Sequence, residues 1–233
     1  LDRVGFHPVW GNVWFLPWAW TNGGRFFGPD GRPTIDDPRN IEALQWVADW
    51  ISRYGKARLD AFATKFEQGE PFTVELLSTV VETNVYAERI QRNNPDLDFG
   101  VTSIPVSREE ASWGAGFDLE LVRTPQGEYD AAWAFVKHLT SEKFMRGWTL
   151  LTRGLGARPA AAVEAYPNDP NWIVSVNQML TTRHTPYSFE APDWWNIAYQ
   201  NHIERAINLE IDPGNAMTQA QQEVLGRYLQ GPK

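Results

Sequence analysis

Asp118 and Glu120 stand two residues apart in Phe117–Val122, a stretch that reads as a short strand. Period-2 geometry puts both carboxylates on one side, beside the loop that carries Trp113. Two carboxyls flanking a bond are what glycoside hydrolysis needs. A same-strand pair is common by chance, however, and surface charge is the default reading. Asp118 reads better as a hydrogen-bond acceptor for a ligand hydroxyl than as a catalyst. The other chemistry-bearing types lead nowhere. His7, His138, His184 and His202 are too dispersed for a metal triad, and no cysteine is present for a thiolate site or nucleophile. No phosphate loop, HExxH, GxSxG or dinucleotide fingerprint occurs. No catalytic residue, metal site or cofactor is therefore assigned.

Tryptophan is the outlier. Twelve occur in 233 residues, several times the ordinary share. They cluster at Trp10, Trp14, Trp18 and Trp20, at Trp46 and Trp50, and at Trp194 and Trp195. An indole offers a rigid flat face and one N–H donor, a surface suited to stacking on the C–H face of a sugar ring. Taken singly, each Trp is read first as a core residue. At least one cluster is expected to line a pocket.

Length and charge bound the rest. With 42% hydrophobic residues the chain can bury a sizeable core. Its longest apolar run, Val13 to Trp20, contains a proline and is too short to span a bilayer. A formal net charge of −8 would repel a phosphate backbone, so nucleic acid is not an expected partner.

The elements that must position these residues alternate between helix and strand, an α/β pattern. Asp37 as N-cap, Pro38 at the first helical position and Gly55 as stop delimit a helix whose Ile41, Leu44, Val47, Ala48 and Ile51 form a buried stripe. Gly28–Gly31 reads as a tight turn. Pro71–Leu77 is predicted as a strand, and Thr79 to Glu82 as a capping box opening a helix to about Arg92. Phe99–Val106 is predicted as a further strand. A helix follows Gly127, with Ala132, Phe135, Val136 and Leu139 facing inward, and Ser141 caps the next. After Gly156 the chain reads as helical throughout.

Three stretches stand out in collinear order. The first is Trp14–Phe27, with Trp20-Thr21-Asn22-Gly23-Gly24-Arg25-Phe26, continuing through Gly31-Arg32-Pro33-Thr34 into the Asp37 helix. The second runs from Phe99-Gly100-Val101 through Trp113-Gly114-Ala115-Gly116-Phe117 to Leu139-Thr140-Ser141-Glu142. The third joins Gly156-Ala157-Arg158-Pro159 to the late Pro213-Gly214-Asn215-Ala216-Met217 helix. Together they resemble the carbohydrate-binding, maltose-binding-protein-like group of extracellular solute-binding proteins of bacterial ABC importers.

The resemblance implies a periplasmic-binding-protein-like α/β fold, with one largely complete helix-rich lobe and part of a second. Residues 1–104 and 157–233 would form the C-terminal lobe. Residues 105–156 would be a return excursion into the N-terminal lobe, with hinge crossings near Phe99–Val106 and Arg153–Ala157. Most of the first lobe would then lie upstream of Leu1, leaving apolar surface exposed on the excursion. The implied function is capture of a mono- or oligosaccharide in a cleft and its delivery to the membrane permease subunits of an importer. The implied setting is extracytoplasmic, periplasmic or cell-surface, with any lipid anchor upstream. The implied ligand-binding residues are Trp10, Asn12 and Trp14, then Trp113, Gly114 and Gly116, then Trp194 and Trp195. Asn12, Asp118 and Arg158 would fix hydroxyls. Residues Glu75 to Thr79 lack the Gly and aromatic residue that many relatives carry there, but Thr79 at a helix N-terminus could still donate a hydrogen bond. The alternatives are a glycoside hydrolase or lectin-like module, and a structural fragment without ligand affinity.

Overall fold

The computed structural model describes residues 1–116, 119–123, 127, 129–185 and 194–230, without the side chains of 67–68 and 194–197. In chain order the elements are α1 (Leu16–Thr21), α2 (Pro38–Tyr54), α3 (Lys56–Ala63), α4 (Tyr86–Asn93), β1 (Ser112–Trp113), α5 (Tyr129–Leu139), α6 (Glu142–Thr152), α7 (Pro159–Ala165), α8 (Pro170–Gln178), β2 (Thr182–Arg183), α9 (Glu204–Ile207) and α10 (Pro213–Gln230). A π-helix spans Trp194–Ile203 and runs directly into α9. Strands β1 and β2 pair.

The chain divides into two compact units. One comprises residues 1–81, 104–113 and 183–233, the other residues 82–103 and 114–182.

The first unit holds the main core. The Asp37 carboxylate accepts from the Arg39 N–H at 2.8 Å, Pro38 opens α2, and Gly55 ends it at φ 84°. The helix thereby lays Leu44, Val47 and Ile51 against Phe15 and Leu16 of the first turn region, and against Ile203, Met217 and Val224. Polar groups finish the packing. Gln221 of α10 accepts from the Ile35 N–H at 2.8 Å and donates to the Pro33 carbonyl at 2.9 Å, which pins the Gly28–Gly31 turn to the last helix.

The second unit is thinly packed. Its buried cluster is Ala162, Ala165 and Trp172, with Leu155, Tyr166, Val176 and Met179 against it. Ser141 caps α6 through the Phe144 N–H, and Arg153 ends it in the left-handed region at φ 53°. Arg153 then pairs with Asp169 at 3.1 Å and lies over the Tyr166 ring. Helix α5 contains no buried residue.

Several sequence expectations are corrected. Pro71–Leu77 is not a strand. It turns at Glu75, whose φ is 59°, and both Leu76 and Leu77 donate to the Pro71 carbonyl. A single bridge from Leu77 to Val4 is its only pairing among the described residues. The Thr79–Glu82 capping box does not form, because residues 79–83 are non-helical and α4 starts at Tyr86. Phe99–Val106 is not paired into a strand, and the described part of Phe117–Val122, residues 119–122, is not one either. Phe135 does not face inward but is 61% exposed. Among the described residues, none of these segments has a neighbouring strand to pair with beyond the Leu77–Val4 bridge, and composition alone does not make a strand.

Candidate ligand-binding site

The loop before α1 places three of the expected residues, Trp10, Asn12 and Trp14, within five positions. Gly11 at φ 90° and Trp14 at φ 47° fold it. Trp10 is engaged in an aromatic box. His7 stacks on it at 3.9 Å with planes 8° apart, Phe62 lies nearly parallel at 5.9 Å, and Phe66 meets it edge-on at 4.9 Å. Trp50 closes the box against the His7 edge and stacks on Tyr54. Burial of His7 lowers its pKa to about 3, although nearby Asp60 favours the charged form. The neutral ring accepts from the Val9 N–H at 3.3 Å.

Trp14 has a different setting. Its ring meets that of Trp113, on β1, edge to face, with centroids 4.8 Å apart and planes at 71°. Both rings are only partly buried. A bulky residue at positive φ is an outlier that the surroundings must hold in place. The Trp113 indole N–H donates to the Thr185 hydroxyl at 3.1 Å.

Trp113 is positioned from both sides. Upstream, the N–H groups of Arg108 and Glu109 both donate to the Thr21 carbonyl, satisfying the C-terminal end of α1. The Arg108 guanidinium bridges the Asn22 side chain and Glu42, and holds the Glu42 carboxyl below its usual range. Glu109 accepts from Arg25 at 2.5 Å and from Arg183 of β2 at 2.9 Å. The Arg25 hydrogen bond, with that of Arg183, lowers the Glu109 pKa to about 2 against the cost of burial. This node ties residues 107–109 to Arg25 and to β2. It was not legible in the sequence, because Glu109 is 84 residues from Arg25 and 74 from Arg183.

The remaining expected residues lie elsewhere. Gly114 is required by a close approach, since a Cβ there would fall 2.2 Å from the Thr182 methyl. Gly116 is exposed with open space around it. Thr79 is exposed in a non-helical stretch, so it is not the helix N-terminal donor expected. Arg158, at the N-cap of α7, donates to the Thr140 carbonyl. Asp118 lies outside the described residues. Trp194 and Trp195 open the π-helix, but their side chains are outside the description. Glu120, the other half of the carboxylate pair, is exposed and not on a strand. The structure therefore brings together Trp14 and Trp113, and adds Thr185. Among the described residues, no group of three His, Asp or Glu could hold a metal, and no helix is long and apolar enough to cross a membrane.

No family model matches the sequence. Solved structures do match. The cyclic α-maltosyl-1,6-maltose binding protein of Arthrobacter globiformis is 21% identical, with a TM-score of 0.71 over 93% of this chain and 55% of its own. An ABC transporter solute-binding protein from Thermotoga lettingae, bound with α-D-tagatose, is 15% identical, with a TM-score of 0.70 over 97% of this chain and 60% of its own. The maltose/maltodextrin-binding domain of Bdellovibrio bacteriovorus, bound to maltotriose, is 18% identical, with a TM-score of 0.67 over 96% and 59%. The chain thus has the fold of these solute-binding proteins, a periplasmic-binding-protein-like fold, and spans 55 to 60% of their length.

Proposed function

We propose that this chain belongs to the solute-binding component of an ABC importer and captures a mono- or oligosaccharide for delivery to membrane permease subunits outside the cytoplasm. In this reading residues 1–104 and 157–233 form one lobe and residues 105–156 the return excursion. The role is binding, not catalysis.

The observation that carries the reading is the Trp14–Trp113 pair. Two part-buried indoles at 71° offer a rigid corner of apolar faces, and the backbone of Trp14 is held in a conformation that ordinary packing does not favour. A corner of this kind suits the C–H faces of a sugar ring, with a few polar groups fixing its hydroxyls. The fold matches support it, since they include proteins bound to maltotriose and to α-D-tagatose.

Tryptophan emission, followed for hours during titration with maltotriose, mannobiose and D-tagatose, tests the reading. A saturable shift that holds steady is expected for at least one of them. A shift that decays as the sugar is consumed would replace the reading with glycoside hydrolysis. No response to any of the three would overturn it.

A further inference from the structure

We propose that Thr185 is a positioning residue of the sugar site, one that fixes the Trp113 ring for stacking. The inference rests on the binding reading above and adds a residue and a mode of contact to it.

Trp113 has one polar group, its indole N–H, and that group is used: it donates to the Thr185 hydroxyl at 3.1 Å. A ring so tied cannot rotate about its χ angles without losing the bond. Its edge-to-face contact with Trp14 is fixed by the same constraint. Thr185 is itself held from behind. Two residues earlier, Arg183 lies in β2, paired to the strand that carries Trp113, and is anchored to Glu109 at 2.9 Å. The indole therefore arrives on β1, and the hydroxyl on the chain just past β2, two residues beyond the Arg183 that the Glu109 ion pair anchors.

The mode of contact follows. With its N–H already taken, Trp113 offers a ligand only aromatic face and C–H edge. It selects for the apolar face of a sugar ring and makes no direct hydrogen bond to a hydroxyl. The contribution of Thr185 is preorganisation: a stacking platform already oriented loses less freedom when the ligand arrives.

Thr185→Val keeps the branched shape and removes the acceptor, and Thr185→Ser restores the hydroxyl. Two readouts separate positioning from general stability. The first needs no ligand: the coupled Trp14 and Trp113 indoles give an exciton couplet in circular dichroism, identified as the part lost in Trp14→Phe. The couplet should weaken in Thr185→Val and persist in Thr185→Ser. The second is affinity for whichever of maltotriose, mannobiose and D-tagatose the wild-type chain binds. It should fall about 3- to 10-fold in Thr185→Val, the range set by one net hydrogen bond, and stay within about twofold in Thr185→Ser. A Thr185→Val protein with unchanged affinity overturns the positioning role, whether or not the couplet changes, and leaves the binding reading standing. A wild-type chain that binds none of the three sugars removes the binding reading, and the positioning role with it.

Discussion

The side-chain amide of Asn40, fully buried in α2, donates to the Arg25 carbonyl at 2.7 Å. The same amide reaches the carbonyls of Ile35 at 3.1 Å and Thr34 at 3.3 Å. One side chain thus ties the turn-bearing segment to the helix that Asp37 starts. Asn40→Leu would take this donor from the buried Ile35 carbonyl, while the Arg25 and Thr34 carbonyls keep the Thr34 hydroxyl and the Asp37 N–H. It should cost about 1–3 kcal/mol, read as a lower urea midpoint with unchanged slope. Gly24 meets Asn40 from the other side: a Cβ there would fall 2.0 Å from Asn40 Oδ1 and 2.9 Å from the Ala19 carbonyl. Gly24→Ala should therefore also destabilise, and the double variant should lose less than the sum.

His7 sets an acid limit on the first unit. Its native pKa of about 3 lies below the ordinary 6.5, so the unfolded chain takes up a proton that the native one refuses. Stability from this group is complete above pH 6.5 and is lost as the pH falls toward 3, by up to about 5 kcal/mol. His7→Gln should flatten that part of the urea-midpoint profile against pH. An unchanged slope between pH 6.5 and 4.5 would contradict the assignment.

Glu109 acts lower on the pH scale. Its carboxyl, held near 2 by Arg25 and Arg183, contributes stability present above its ordinary value of 4.5 and lost as pH falls toward 2. Its side chain is 33% exposed, so solvent screening reduces the effect. Glu109→Gln is expected to cost about 1–2 kcal/mol at neutral pH and to leave the slope between pH 6.5 and 4.5 intact. Moderate salt should weaken the wild type toward the variant in thermal denaturation.

Trp133 and Phe135 of α5 are 51% and 61% exposed. Replacing either with Glu should change stability by no more than about 0.5 kcal/mol, because neither fills a core. The same changes should reduce binding of an apolar dye and self-association seen by light scattering. A loss of several kcal/mol would mean that α5 packs in solution.

Local rules made the helices legible. Asp37, Pro38 and Gly55 delimit α2 in the sequence as they do in the structure, and Ser141 starts α6. Strands were not legible, because a strand exists only where a second segment pairs with it. Val74 to Leu77 has strand composition, yet Glu75 turns the chain and only Leu77 finds Val4. The site divides in the same way. Trp14 stood out in a tryptophan cluster, and Trp113 came from the family resemblance. Thr185, whose bond to Trp113 spans 72 residues, and Glu109, whose bond to Arg183 spans 74, had no sequence signal.

The division of the chain also orders its biosynthesis. The first unit is assembled from three separate stretches, and the last of these, 183–233, is made after the other two and after the second unit. Leu44 and Val47 share a core with Ile203, Met217 and Val224, and that core can close only after the second unit has been translated. The Ile35–Gln221 hydrogen bond closes across 186 residues. Until then the tryptophan-rich segment around Trp10 to Trp20 has no complete core to enter, so its apolar surface stays open while the second unit is being made. A holding chaperone, or a slow approach to the native state, is the natural companion of this connectivity.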